Sequence, residues 1–266
     1  MDRRAHSCPG SAYAVARQSA GGADPVRQDT LALYISVSRW VSEKSFLKFF
    51  MHSNTMARNS KRRADTVVVL DFETTGLSAD GGDRAIEIGA VRIERGRVTD
   101  RFQSLMNPGR RVDAFIEDYT GITNQMLKTA PPCKTVMAEF SDFIEDFDLV
   151  AHNASFDSRF LRAELRRIQR HYVGEFACSM LVSRRLYQNA PNHKLGTLVK
   201  FHDLLTDGIF HRALADAQMT AQLWLKILDD LEEDYALGRV PFELLQAIGR
   251  TPKAGITRFL KDQAKA

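Results

Sequence analysis

The feature that most constrains this chain is an unbroken apolar run, residues 67–70 (Val-Val-Val-Leu), which leads directly into Asp71 and Glu73. A continuous run of mostly β-branched residues predicts a strand buried on both faces of a sheet. Residues two apart in a strand point to the same side, so both carboxylates are expected to project together while Phe72 packs the other way. Two like charges beside an apolar layer are unfavourable unless a cation neutralises them. The run therefore predicts a metal site; an ordinary polar strand end before a turn at Gly76 is the alternative.

The rest of the pattern predicts an α/β fold with a mixed central β-sheet flanked by helices. Alternating residues from 85 to 91, a turn at 94–97 and a second run to 105 indicate a hairpin. A short buried strand at 149–151 then lies among helical segments, an order typical of layered α/β domains. The predicted helices cover residues 134–147, 155–170, 178–188, 195–201 and 213–237, with a short one at 242–245.

Composition divides the chain into three parts. Residues 1–64 are predicted to be an N-terminal extension, disordered over 1–29 and with the apolar spacing of an amphipathic helix over 30–51. Residues 65–237 are predicted to form the main folded domain. Residues 238–266 are expected to supply a short C-terminal helix and a basic tail.

Net charge and cysteine content limit the classes of protein that fit. Residues 1–65 hold 11 Lys/Arg and 5 Asp/Glu, whereas the remainder holds 26 and 28, so the net charge of +4 does not by itself identify a nucleic-acid partner. Three scattered cysteines fit neither a disulfide framework nor a zinc site and favour a reducing compartment. Without an apolar stretch of about 18 residues, we expect a soluble, cytoplasmic protein with no membrane partner.

Two further segments place polar residues where they could join the first carboxylates. Asp157 follows the short strand at 149–151 and falls in the first turn of a predicted helix, where the helix dipole alone would favour an acid. His211 and Asp216 open the long predicted helix, in which small residues would allow close approach to the sheet. A histidine at a helix start is also commonly structural, so neither segment is specific by itself.

In this order and approximate spacing, Asp71, Glu73, Asp157, His211 and Asp216 resemble the signature residues of the DEDDh 3′–5′ exonucleases. That family includes the epsilon proofreading subunit of bacterial DNA polymerase III and RNase T. The segments 120–123 (Thr-Gly-Ile-Thr) and 193–198 (His-Lys-Leu-Gly-Thr-Leu) also look like the family. The resemblance implies an RNase H-like (exonuclease) fold and identifies residues 65–237 as the exonuclease domain.

The resemblance also implies two divalent metal ions, Mg²⁺ or Mn²⁺, as cofactors. Asp71 would bridge both ions, Glu73 and Asp216 would complete the site of one, and Asp157 would hold the other through water. His211 would act as general base towards the attacking water, which suits a group that titrates near neutral pH. Two such ions about 3.5–4 Å apart activate a nucleophile and stabilise a leaving oxygen, and the product would be a nucleoside 5′-monophosphate.

Three residues after the first acids are expected to contact the substrate. Leu77 resembles the residue that wedges beside the terminal base in this family, with a core leucine as the alternative. Thr74 and Thr75 look like contacts to the 3′-terminal nucleotide.

A basic stripe is predicted on the helix that carries Asp157. At 100° per residue, Arg159, Arg162, Arg166 and Arg170 share one side of that helix. Arg162 and Arg166 are predicted to guide a strand into the site through its phosphates. A solvated basic face is the alternative.

The predicted function is a two-metal-ion exonuclease acting on the 3′ ends of single-stranded nucleic acid, of the proofreading or repair type. DNA is favoured over RNA because no aromatic cluster for base stacking is evident beside the motifs. The alternatives are an RNA exonuclease of the RNase T or oligoribonuclease kind and a non-catalytic nucleic-acid-binding module. The chain could act alone or as a subunit of a DNA polymerase.

Overall fold

The apolar run after Thr66 forms the central strand of a five-stranded sheet. In the computed structural model, β1 spans Val67–Thr74 and its first four residues are fully buried. Strand β1 pairs antiparallel with β2 and parallel with β4, in the order β3-β2-β1-β4-β5. The predicted mixed sheet is therefore confirmed, and its other strands are β2 (Ala85–Glu94), β3 (Arg97–Leu105), β4 (Asp148–Ala151) and β5 (Phe176–Cys178).

The structure describes residues 62–206, 208 and 211–265, which fall within one compact unit. The predictions for residues 1–29 and 30–51 lie outside this part of the chain. Ala64 already belongs to the folded unit, because it is fully buried and its carbonyl accepts a hydrogen bond from the Trp224 indole at 2.7 Å. Across these ranges, no helix combines the length and apolar character that crossing a bilayer requires.

Helices follow the strands as the periodicity predicts, with several additions. Strand β5 and helices α1, α2 and α9 were not expected; each is short, and a pattern of few residues gives a weak periodic signal. The helices of the described residues are α1 (Ala114–Thr120), α2 (Asn124–Thr129), α3 (Cys133–Ile144), α4 (Ala154–Arg167), α5 (Ser179–Leu186), α6 (Leu195–Phe201), α7 (Ala213–Tyr235), α8 (Phe242–Arg250) and α9 (Ile256–Gln263).

Alternate residues of β1 belong to two separate apolar clusters, one on each face of the sheet. Val68, Leu70 and Phe72 pack with α3 and α4, and the Phe72 ring meets Phe140 edge-on at 6.2 Å between centroids. Val67 and Val69 pack on the other face with α7 and α8. This alternation follows from the two-residue period of a strand and assigns Asp71 and Glu73 to the α7 face.

The C-terminal segment is part of the core rather than an appendage. Helix α8 packs against α5 and β5, and Phe242, Leu245 and Ile248 are buried. The segment predicted as a basic tail contains α9, in which Leu260 is fully buried. Its two buried apolar residues, Ile256 and Leu260, are one turn apart, and the basic residues between and around them weaken the periodic signal in the sequence.

Candidate active site

The two acidic residues of β1 lie where the strand leaves the core. Asp71 is partly exposed, whereas Glu73 is 9% exposed, and the two side chains share one face of the strand. Phe72, between them, is buried on the other face. The arrangement matches the one expected from the sequence.

A glycine opposite Asp71 allows α7 to approach the sheet. Gly89 of β2 pairs with Asp71, and a Cβ atom at Gly89 would lie 2.1 Å from the backbone nitrogen of Leu214. The first turn of α7 therefore rests directly on β2, and it brings Asp216 to the end of β1. One carboxylate oxygen from each of Asp71, Glu73 and Asp216 lies within 4.8 Å of the others.

Asp157 reaches the same strand end from the other side of the sheet. It lies in the first turn of α4, is 2% exposed, and its Oδ1 accepts a hydrogen bond from the backbone N–H of Phe72 at 3.2 Å. An acid that served only the helix dipole would not have to face β1. The contact joins the acid of α4 to the strand between Asp71 and Glu73.

These acids oppose one another's ionisation. Burial, followed by repulsion from Asp157 and Glu73, raises the pKa of Asp71 well above its ordinary value. Burial and the charge of Asp216 raise the pKa of Glu73 to about 8. Burial also raises the pKa of Asp157 and of Asp216. A cluster of hard oxygen donors with uncompensated negative charge fits a divalent metal ion.

Glu87 is a buried acid outside that cluster, and the sequence analysis missed it. It pairs with Glu73 across β1 and β2, but both of its oxygens accept bonds from the Arg212 guanidinium, at 2.8 and 3.0 Å. Its Oε2 also accepts the backbone N–H of Ala213 at 3.1 Å. Glu87 thus anchors the start of α7 and has its own counter-charge. Its position among the apolar residues of β2 was the feature of the sequence that could have indicated a buried acid.

His211 lies beside the acid cluster and against an aromatic ring. Its backbone N–H donates to Asp216 Oδ2 at 3.0 Å, and its φ of 62° is left-handed. Its ring centroid is 4.1 Å from that of Tyr119, with the two planes tilted by 39°, and Tyr119 stacks on Phe115 at 5.9 Å. The expectation that no aromatic cluster adjoins the motifs is therefore wrong. Phe115 and Tyr119 are spaced one helical turn apart in α1, a helix that the sequence analysis did not assign.

The three residues expected to contact substrate lie at the end of β1 and in the loop that follows it. Leu77 is 80% exposed, which excludes the core alternative. The Thr74 hydroxyl donates to the Gly76 carbonyl at 2.6 Å, and the Thr75 hydroxyl donates to Asp83 Oδ1 at 3.0 Å. Both threonines are buried, and their hydroxyls shape the loop that presents Leu77.

The basic stripe is shorter than predicted. Arg159, Arg162 and Arg166 are exposed on α4, and Arg166 Nη2 lies 3.7 Å from Asp80 Oδ1. Arg170 does not belong to the stripe, because α4 ends at Arg167 and the chain turns through Gln169 at a φ of 58°. Its guanidinium instead forms an ion pair with Asp142 of α3.

Known sequences match the same region. A family model described as Exonuclease matches residues 68–224. The DNA polymerase III PolC-type of Bacillus subtilis is 41% identical over 172 residues, which are 64% of this chain and 12% of the polymerase. The corresponding protein of Caldanaerobacter subterraneus is 35% identical over 201 residues, 74% of this chain and 14% of its own length. This chain therefore spans about one seventh or less of these relatives.

Solved structures share the fold. Exonuclease X in complex with 5′ overhanging duplex DNA has a TM-score of 0.55 and 27% identity, covering 69% of this chain and 99% of that one. The nuclease domain of 3′hExo, described as a DEDDh family member bound to rAMP, has a TM-score of 0.54 and 20% identity. It covers 62% of this chain and 92% of that one, and at this identity the likeness concerns the fold alone.

Proposed function

This chain belongs to the exonuclease family, as its five DEDDh signature residues predicted, and from that premise we propose that it is a metal-dependent 3′–5′ exonuclease acting on DNA. The observation that carries the proposal is the convergence of Asp71, Glu73 and Asp216 within 4.8 Å, with Asp157 bonded to the strand between the first two. A module that only bound a polyanion would gain nothing from acids that repel both one another and phosphate.

The acids would hold two divalent ions, Mg²⁺ or Mn²⁺. Asp71 would contact both, Glu73 and Asp216 would complete one site, and Asp157 would serve the other through water. When bound, the ions would activate the attacking water and stabilise the leaving 3′ oxygen. The product is a nucleoside 5′-monophosphate.

His211 would accept the proton of the attacking water. Contact with the Tyr119 ring, tilted by 39° to it, restrains the His211 ring, and the hydrogen bond to Asp216 ties its backbone to a metal-holding acid. Base and acid are thereby held in a fixed relation, which the positioning of a general base requires.

The substrate strand would enter past the loop after β1. Leu77 would pack beside the terminal base, since it presents an exposed apolar side chain there. Thr74 and Thr75 would support this contact by holding the loop, and Arg162 and Arg166 would bind phosphates further along the strand.

DNA as substrate is supported by the PolC-type relatives, which are DNA polymerases. We propose that the protein acts in the cytoplasm and removes nucleotides from 3′ ends during proofreading or repair, alone or beside a polymerase. The second candidate is an RNA exonuclease. The exposed Phe115–Tyr119 pair removes the ground on which the sequence favoured DNA, because aromatic faces stack on unpaired bases of either nucleic acid.

A time course on labelled single strands tests the proposal. DNA and RNA carrying a 3′ or a 5′ label are incubated with Mg²⁺ or Mn²⁺ and resolved by length. We expect stepwise shortening of DNA from the 3′ end, and Asp71→Asn is expected to lower the rate by about a thousandfold. Asp262→Asn, which neutralises an exposed acid of α9, is the matched control and is expected to retain full activity.

The outcomes separate the candidate functions. Faster shortening of RNA than of DNA would favour the RNA exonuclease. Cleavage from 5′ ends or at internal positions would overturn the proposed direction. Tight binding without degradation, unchanged in Asp71→Asn, would restore the non-catalytic module.

A further inference from the structure

A concave basic surface lies between the segment after β3 and helix α2, with a volume of about 540 Å³. Its charged lining is wholly basic and consists of Arg110, Arg111 and Lys128, beside the amides of Asn124 and Gln125. Basic side chains and amides are the groups that contact nucleic-acid phosphates. We call this surface the basic groove.

The walls of the basic groove are fixed before any ligand binds. The Asn124 amide joins them by accepting from the backbone N–H of Val112 at 2.9 Å and donating to its carbonyl at 3.0 Å. Arg84 donates to the carbonyl of Pro108 at 3.3 Å, while its own guanidinium is held by the buried Glu164. A preformed surface loses less entropy when it binds a strand.

The cations of the basic groove are largely uncommitted. Arg110 has one acidic partner, Asp83, at 3.4 Å and is about half exposed. Arg111 and Lys128 are exposed, and neither forms an ion pair with another residue that the structure describes. Two positive charges are therefore free to meet phosphates.

Two cationic surfaces reach the loop that presents Leu77. From the basic groove, Arg110 contacts the carbonyl of Gly82 at 3.2 Å and the carboxylate of Asp83. From the stripe on α4, Arg166 lies 3.7 Å from Asp80. A single strand that ends at the acid cluster has one phosphate backbone and requires only one of these cationic surfaces.

A duplex end has two phosphate backbones and would therefore require both cationic surfaces, the basic groove and the stripe on α4. An exposed leucine at the start of a loop flanked by two basic tracks suits the point where paired strands part. We propose that the basic groove binds the phosphate backbone of the complementary strand when the 3′ end being shortened lies in a DNA duplex. This inference rests on the proposed exonuclease function and adds to it a second phosphate-binding surface, which includes Arg111 and Lys128.

Binding measurements can separate the two strands. Fluorescence anisotropy would compare a blunt duplex with its isolated strand, in full-length protein carrying Asp71→Asn so that neither is degraded. With Arg111→Gln and Lys128→Gln added, we expect duplex affinity to fall about tenfold near 0.1 M salt. The log–log salt slope should shrink by about 2, one for each lost phosphate contact. The affinity for the single strand should stay within about twofold, because its phosphate track lies elsewhere.

The matched control is Arg95→Gln with Arg97→Gln. This pair removes the same charge from two exposed residues, one in the β2–β3 turn and one at the start of β3, at the other end of the β1–β2 pairing. It should change neither duplex nor single-strand affinity.

Two results would overturn the inference: an equal loss for both substrates, or an unchanged duplex affinity. The proposed function fails by a different result, since active-site-intact protein that binds DNA but never shortens it would refute catalysis. The binding measurement with the groove variants does not depend on catalysis, so it would still test the inference if catalysis were refuted.

Discussion

Glu73 and Glu87 lie opposite each other on neighbouring strands, yet their charges are treated differently. Glu87 is fully buried and neutralised by Arg212. Glu73 faces other acids, and its pKa is raised to about 8. The carboxylate of Glu87 stabilises the fold, whereas the carboxyl group of Glu73 stays available to a cation.

Stability should depend on pH and metal in a linked way. In metal-free protein, folded Glu73 keeps its proton up to about pH 8, whereas the unfolded chain releases it near pH 4. The folded state therefore binds more protons between these values, and stability falls as pH rises through them. Mg²⁺ binds the deprotonated acids, so its stabilising effect should grow from pH 5 to pH 8. Thermal unfolding in EDTA and in Mg²⁺ at both pH values measures this effect.

Glu73→Gln provides the comparison for that experiment. The amide cannot titrate, so the variant should show a flatter pH dependence in EDTA and a smaller shift with Mg²⁺. An Mg²⁺ shift that is equal at pH 5 and pH 8 in the unsubstituted protein would contradict the linkage.

Glu87→Gln should destabilise the protein through Arg212. The substitution leaves a guanidinium that is one third exposed without its buried counter-charge. Partial exposure screens the loss, so we expect the free energy of unfolding to fall by about 2 kcal/mol. Urea denaturation measures it. Asp262→Asn breaks the exposed pair with Arg258 and should cost less than about 0.5 kcal/mol; equal losses in the two variants would refute the anchoring role.

At the residue scale, the sequence predicted that the two acids of β1 share one face, but it did not predict which side chains surround them. Asp71 and Glu73 were assigned to one face from strand geometry alone, and the structure agrees. The ring contact between Tyr119 and His211 joins α1 to the segment just before α7. Contacts between distant segments depend on how helices dock, which local periodicity does not encode.

At the scale of elements, the approach of α7 to β2 decides whether the acids can meet. The contact between Gly89 and the backbone of Ala213 and Leu214 leaves no room for a side chain. Small residues in the first turns of α7 were correctly expected to permit close packing, but the glycine on the facing strand was not anticipated. The missing side chain at Gly89 is therefore as necessary for this contact as the small residues of α7.

Gly89→Ala should therefore damage both stability and metal binding. Because the new Cβ would meet backbone rather than a flexible side chain, α7 must shift, at a cost of about 1–3 kcal/mol. Moving Asp216 away from Asp71 should weaken Mn²⁺ binding by about 10–100-fold. Urea denaturation and calorimetric titration measure the two effects. Gly255→Ala is the control, since a Cβ there meets nothing within 4 Å; normal Mn²⁺ affinity in Gly89→Ala would show that Asp216 does not depend on this contact.

The elements that periodicity missed share a physical cause. Strand β5 has three residues and runs directly into α5, so the helix predicted over 178–188 included its last residue, Cys178, and no strand was predicted there. Helix α4 stops three residues before Arg170 because the chain turns at Gln169. Short strands and helix ends are set by pairing partners and backbone turns.

At the scale of the whole molecule, the C-terminal segment covers the edge of the sheet that ends in β5. Gln246 of α8 donates to the carbonyl of Phe176 at 2.9 Å, which satisfies a backbone acceptor on that edge strand. Sheet edges invite pairing with other chains unless they are covered. The segment thus stabilises the domain that carries the site.

Leu245→Ala tests whether this segment unfolds together with the acid cluster. Leu245 is fully buried, so its truncation should lower the free energy of unfolding by about 2–5 kcal/mol in a single transition. The chain has two tryptophans, so Trp40→Phe is added to make the fluorescence report on Trp224 alone. Circular dichroism and this fluorescence should then give coincident curves. Leu205→Ala, at a position 82% exposed, should stay within about 0.5 kcal/mol. An early, separate transition in Leu245→Ala would show that the segment folds independently.

The convergence of Asp71, Glu73, Asp157 and Asp216 also has a consequence for biosynthesis. The acids are translated in that order, and Asp216 leaves the ribosome only after all five strands of the sheet have been made. Contacts between residues far apart in the chain form late in folding. A nascent or truncated chain that lacks α7 cannot assemble the acid cluster. Premature termination before residue 216 should therefore yield no active nuclease.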